Sequence, residues 1–172
     1  MKSKIIWFTG LSGSGKTTLS EKISNKLQNL KFKVMKIDGD IFRKKNSNKN
    51  KFTKTNIYKN NLSIIKYINK INDNYDFIIV SVISPLIKTR LKAKKLYKKN
   101  YIEIYVKCSI KTLIKRDTKG LYNLAIKNQI KNLIGYNSII NYEKSKYKKL
   151  IIDTEKKSIS QCTKIILKYI SK

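Results

Sequence analysis

The chain has 172 residues, with 40 Lys plus Arg against 10 Asp plus Glu, a formal net charge of +30 and no histidine. That length suits one compact domain with a real core. The missing histidines, and two cysteines as far apart as Cys108 and Cys162, exclude a Ser-His-Asp triad and leave zinc fingers and a disulfide framework without support. No apolar run approaches the ~20 residues that span a bilayer, and Ile5–Phe8 is too short for a signal-peptide core, so a soluble cytoplasmic protein with no membrane partner is expected.

The charge invites a nucleic-acid reading. Yet 37 Lys, 29 Ile and 17 Asn form the trio that AT-biased codons supply, and the lysines run from Lys2 to Lys172 without a basic tail. Nucleic acid is therefore not the expected partner, and the three arginines, Arg43, Arg90 and Arg116, carry more information than the lysines.

Taken in chain order, Lys4–Thr9 reads as a buried strand. The glycine-rich turn Gly10-Leu11-Ser12-Gly13-Ser14-Gly15-Lys16-Thr17 follows, and then a helix over Thr17–Leu30 with Leu19, Ile23, Leu27 and Leu30 on one face. The turn satisfies G-x-x-x-x-G-K-[ST] between a strand and a helix, where backbone N–H groups and the helix N-terminus converge on phosphate oxygens. Lys16 would bridge the β- and γ-phosphates of a nucleoside triphosphate, and Thr17 would ligate Mg²⁺. Phe32–Asp38 is the second strand, and Asp38-Gly39-Asp40-Ile41-Phe42-Arg43 follows it. Asp40 could hold the Mg²⁺ shell or orient an acceptor hydroxyl, and Arg43 could clamp an anionic acceptor. The alternative is a capping aspartate with a surface arginine.

A helix over Asn56–Asn72, a strand over Asp76–Ser84, a helix over Pro85–Lys99, a strand over Tyr101–Lys107 and a helix over Ser109–Lys115 come next. A short strand at Leu150–Asp153 and a helix over Lys157–Ile170, striped by Ile159, Cys162, Ile166 and Tyr169, close the chain. This alternation predicts an α/β fold of three layers, a parallel five-stranded sheet flanked by helices. Residues 43–55 and 116–147 fit no element and are expected to be mobile lid segments of a single domain over 1–172.

Four ordered blocks resemble the adenylylsulfate (APS) kinases, P-loop kinases that phosphorylate the 3′-hydroxyl of adenosine 5′-phosphosulfate. They are Ile6–Leu19 (IWFTGLSGSGKTTL), Asp38–Arg43 (DGDIFR), Val80–Arg90 (VSVISPLIKTR) and Tyr101–Lys131 with its R-D-x-K-G-L-Y run. The resemblance implies that Gly10–Thr17, Thr18 and Arg116 bind ATP. It implies that Lys16, Asp38, Asp40 and Ser84 serve the chemistry, and that Thr17 and Asp40 hold Mg²⁺. Asp40, Arg43, Phe52, Asn60, Ile83, Ser84, Pro85, Lys119, Gly120 and Leu121 would surround the acceptor nucleotide. Ser84 matches a serine proposed in the family as a phosphoserine intermediate, although Ser84-Pro85 could equally begin a helix. A homodimer is one assembly open to such a protein.

The sequence departs from the family's pattern on the acceptor side. Asn56-Ile57 stand where the family has an acid–arginine pair, Leu86 where it has tyrosine, and Leu133-Ile134-Gly135 where it has Phe-Thr-Gly. A lost charge-assisted contact costs about 1.5–3 kcal/mol unless Lys54 or Lys59 replaces it. Two other readings therefore stand beside an APS kinase of sulfate assimilation. One is a paralogous kinase of another nucleotide conjugate, such as a cytidine diphosphate derivative of surface-polysaccharide synthesis. The other is a non-catalytic polyanion-binding protein that kept the fold.

Overall fold

In the first strand every residue after Lys4 is buried, because its two faces serve two cores. Ile6 and Phe8 pack with Leu19, Ile23 and Leu27, whereas Ile5 and Trp7 pack with Ile64, Ile65 and Ile68. A strand that is apolar on both faces must be covered on both, and burying each such side chain is worth about 1.5–3 kcal/mol. The computed structural model, which describes residues 2–45, 53–145, 147 and 150–171, meets that demand with a parallel sheet between two helical layers.

Strands β1 (Lys4–Thr9), β2 (Val34–Asp38), β3 (Phe77–Ser81), β4 (Tyr101–Lys107) and β5 (Leu150–Asp153) lie in the order β2-β3-β1-β4-β5. All four pairings are parallel, and Trp7 lies beside Val80 on one side and Glu103 on the other. Helices α1 (Lys16–Asn29) and α7 (Ile159–Ile170) cover one face through Ile23, Leu27, Cys162 and Ile166. Helices α3 (Lys54–Ile71) and α4 (Ile87–Tyr97) cover the other through Ile64, Ile68, Ala93 and Tyr97. Three short α-helices, α2 (Gly39–Lys45), α5 (Ile110–Arg116) and α6 (Leu121–Ile126), and a 3₁₀ turn at Lys98–Asn100 complete the described residues. The chain passes from β1 to one side of the sheet and returns through β4 to the other. The carboxyl ends of β1, β3 and β4 thus border the crevice where open α/β sheets bind ligands.

All five predicted strands and all five predicted helices form; β1, β4 and β5 keep the expected ends, and the other elements are shifted. The second strand begins at Val34 rather than Phe32, because Lys31 takes a left-handed φ of 67°. The third ends at Ser81 rather than Ser84, because Ser84 has φ 44°. The next helix starts at Ile87 with Leu86 as its cap, so Ser84-Pro85 does not begin it. Leu30, assigned to the buried stripe of α1, is 66% exposed beyond the helix end. Of the two stretches left without elements, the first takes only the end of α2 and the start of α3, its residues 46–52 lying outside the described residues, and the second contains a short helix. Arg43 lies in α2, and α6 interrupts 116–147, capped by Asp117, whose two carboxylate oxygens accept the amides of Tyr122 and Asn123. Among the described residues no helix is long and apolar enough to cross a membrane.

Candidate active site

The phosphate loop is placed by backbone shape. Gly10 has φ 146°, and a Cβ there would stand 2.4 Å from the carbonyl oxygen of Val106, so only glycine lets β1 leave the sheet this close to β4. Gly15, at φ 95°, turns the chain into α1 and sets Lys16 as its first residue. The Lys16 ammonium is buried and donates to the carbonyl of Leu11 at 2.7 Å. Burial pushes it down to about 8, a fall that the Asp40 and Asp38 carboxylates oppose and the Lys119 charge adds to. An anion placed beside this ammonium would favour its charged form and offset the burial. The Ser14 hydroxyl, also buried, has no partner among the described residues.

The two carboxylates of the Asp38–Arg43 segment are held differently. One Asp38 oxygen caps α2, accepting the amides of Asp40 at 2.8 Å and Ile41 at 3.2 Å. Its other oxygen lies 3.4 Å from the Thr17 hydroxyl. Asp38 therefore caps α2 and lies beside the phosphate loop at once. Asp40 pairs with Lys119 at 2.6 Å. Partial burial would raise its pKa, but the hydrogen bond and charge of Lys119 outweigh that and hold its carboxyl below the usual range. Of the expected metal-holding pair, Thr17 has the Asp38 carboxylate beside it, and Asp40 is bonded to Lys119.

The R-D-x-K-G-L-Y run serves both sides of the cleft. Gly120, at φ 67°, turns the chain into α6, with Leu121 as that helix's first residue. Lys119 reaches across to Asp40, the Tyr122 hydroxyl donates to the Ser12 carbonyl at 3.0 Å, and Arg116 donates to the Thr154 carbonyl at 2.6 Å. Gly13, Gly15, Lys16, Thr17, Thr18 and Arg116 line a cavity of about 490 Å³ together with Thr154, Lys157, Ile159 and Cys162. The last four escaped the sequence reading. No motif marks them, but the strand order places the end of β5 beside this cavity.

On the opposite side, three successive carbonyls of the turn after β3 are held by distant groups. Ile83 accepts from the Thr9 hydroxyl at 2.6 Å and the Gly10 amide at 3.4 Å. Ser84 accepts from the Arg90 guanidinium, and Pro85 from the Glu143 amide at 2.9 Å. The Ser84 hydroxyl is enclosed. It is buried between the Asn61 side-chain amide at 3.2 Å and the Thr89 hydroxyl at 3.3 Å. Asn60 presents a buried amide nitrogen with no partner among the described residues. Arg43, partly buried near Asp40, has its guanidinium pKa lowered by burial, against the pull of that carboxylate. Phe52 lies outside the described residues.

Three of the departures noted in the sequence gather in one place, while Leu133 packs in a separate cluster with Leu113 and Tyr122. Ile57, Leu86 and Ile134 are buried together with Ile140, against Leu11, Tyr58, Ile83 and Tyr142. Gly135 presses the same segment onto the phosphate loop: at φ 86°, its Cβ would stand 2.7 Å from a Leu11 methyl. Ile57 is 1% exposed, so it packs under the segment and does not stand in the open cleft.

A family model described as adenylylsulphate kinase matches residues 2–153. A probable adenylyl-sulfate kinase of Archaeoglobus fulgidus is 34% identical over 154 residues, spanning 90% of this chain and 97% of its own. The adenylyl-sulfate kinase of Oceanobacillus iheyensis is 36% identical over 171 residues, spanning 98% of this chain and 84% of its own. The solved structure of the Mycobacterium tuberculosis APS kinase CysC in complex with AMPPNP and APS is similar with a TM-score of 0.90 at 25% identity, over 99% of each chain.

Proposed function

Because the chain belongs to the adenylylsulphate kinase family, we propose that it transfers the γ-phosphoryl group of ATP to the 3′-hydroxyl of adenosine 5′-phosphosulfate. The products are 3′-phosphoadenylyl sulfate and ADP, and the step belongs to sulfate activation. The observation that carries this reading is the meeting of two half-sites at one point: Thr17 of the phosphate loop lies 3.4 Å from the Asp38 carboxylate, and Asp40, two residues on, pairs with Lys119 at 2.6 Å.

Triphosphate binds over Gly10–Thr18, with its base toward Arg116, Thr154 and Ile159 in the 490 Å³ cavity. Lys16 meets the charge on the transferring group, whose loose transition state asks the protein for position and charge compensation more than for covalent help. Asp40, kept ionised by Lys119, accepts the proton of the 3′-hydroxyl. A new oxygen–phosphorus bond forms there as the bond between the β-γ bridging oxygen and the γ-phosphorus breaks. Asn60 offers its unpartnered amide nitrogen to the acceptor, and Arg43 and Lys119 offer positive charge. Ser84 acts by shaping the turn, since its hydroxyl is enclosed.

The Thr17 hydroxyl and the Asp38 carboxylate, 3.4 Å apart at the loop, are oxygen donors that fit Mg²⁺, a cation that keeps several waters and takes phosphate oxygens. When bound it would supply charge neutralisation at the β- and γ-phosphates. Among the described residues no cluster of three acidic, cysteine or histidine side chains competes for it.

A coupled ADP-release assay with ATP and micromolar APS tests the reading. Saturable release that requires APS is expected; release indifferent to APS, or seen only with a cytidine conjugate, would overturn it.

A further inference from the structure

Arg90 and Glu103 form an ion pair at 3.4 Å with both side chains out of solvent. Such a pair is hard to explain by stability, because its desolvation penalty can exceed its attraction and apolar residues of the same volume often serve as well. What else the guanidinium touches is therefore informative. It donates to the carbonyl of Ser84, in the turn after β3, and to the carbonyl of Glu143, in the segment that follows the Ile134–Ile140 cluster. Both acceptors lie in irregular backbone, and Ser84 has the left-handed φ of 44°. Glu103 is fixed in turn by the hydroxyls of Ser145 at 2.5 Å, Tyr147, and Tyr101 at 3.3 Å. The two strips are also tied directly, since the Ile87 amide donates to the Glu143 carboxylate at 2.7 Å and the Glu143 amide to Pro85.

We propose that Arg90, held by Glu103, is a positioning residue that sets the acceptor turn 83–85 and the strip at Glu143 and Ser145 in one arrangement, and thereby governs acceptor binding far more than donor binding. The fixed fork of a guanidinium is what this task requires, because two carbonyls from separate segments must be met at once. The Ile83 carbonyl of the same turn is bonded to Thr9 and Gly10, so the turn is aligned to the phosphate loop at one end and to Arg90 at the other. No atom of Arg90 is exposed to a ligand; it acts through the backbone it holds. The kinetic part of this proposal rests on the APS-kinase reading; the backbone part does not.

The test is the double variant Arg90→Met with Glu103→Gln, which removes both charges, leaves neither unpaired and keeps an acceptor for Ser145 and Tyr147. We expect a folded protein with a lowered melting temperature, since the Ser84 and Glu143 carbonyls lose their donor, a KM for APS raised about tenfold or more, and a KM for ATP within about twofold. Amide exchange at Ile87 and Glu143, measured without any acceptor, should quicken while the α1 amides keep their protection. Arg90→Lys keeps a cation opposite Glu103 but loses the fork, so it should also raise the APS KM; it decides the matter should the double variant fail to fold. Unchanged KM for APS and unchanged exchange at Ile87 and Glu143 in a folded variant would overturn the proposal. Absence of APS-dependent turnover in the unaltered protein would instead overturn the reading of function, with the exchange result still deciding what Arg90 does.

Discussion

The two sides of the cleft are built from different materials. On the donor side the loop's shape comes from backbone: left-handed glycines at Gly13 and Gly15, the close pass of Gly10 beside Val106, and a helix that starts at Lys16. On the acceptor side it comes from side chains brought from afar, with Ile57, Leu86, Ile134 and Ile140 packed together and Arg90 holding two irregular segments. Backbone geometry tolerates little beyond glycine at such positions, whereas a packed cluster can be rewritten residue by residue if its volume is kept. The donor side can therefore stay close to the family's pattern while the acceptor side drifts from it.

Lys16→Ala should give the largest effect, a loss of about 10²–10³-fold in kcat, as for other single charge-stabilising donors. A near-normal turnover rate would place transition-state stabilisation elsewhere. Ile57→Ala tests the other side. Truncating this enclosed side chain should cost about 2–5 kcal/mol of stability, read by denaturant unfolding, with ATP affinity in the folded enzyme unchanged. A neutral result would mean that Ile57 faces open space. Asp40→Asn sharpens the contrast between structural and functional charge. Its pair with Lys119 is half exposed and should contribute no more than about 1 kcal/mol to stability, yet kcat should fall about tenfold or more as the proton acceptor is lost. Equal kcat would remove Asp40 from the chemistry.

The smallest effect concerns protons. Burial lowers Lys16 from 10.5 to about 8, so between those values the unfolded chain binds more protons than the folded one, and this group's contribution to stability rises with pH across that window. Triphosphate favours the charged form, so ATP binding above pH 8 should take up protons, seen by calorimetry in buffers of different ionisation enthalpy. Lys16→Met should abolish the uptake; its persistence would assign the proton to another group.

Much of this was legible in the residues. Alternating apolar faces and the G-x-x-x-x-G-K-T turn located the sheet and the phosphate loop, because each depends on local pattern. Short helices were harder: α2 and α6 carry no apolar stripe long enough to show a period and rest on caps from Asp38 and Asp117. Thr154, Lys157 and Cys162 join the donor cavity only because β5 lies next to β4, a fact of topology with no sequence motif. Arg90 stood in a block that resembled the family, yet its role depended on Glu103, Glu143 and Ser84 meeting it in space. Ser84 read as a candidate for chemistry, while its enclosed hydroxyl follows from Asn61 and Thr89, which no spacing rule connects to it.

Phosphorus NMR of the protein turning over ATP and APS tests the meeting of the two half-sites most directly, since it reports where the γ-phosphoryl group goes. A 3′-phosphomonoester signal growing in step with ADP, with little inorganic phosphate, is the expected result. Inorganic phosphate as the main product, or a phosphoryl group resident on the protein, would contradict it.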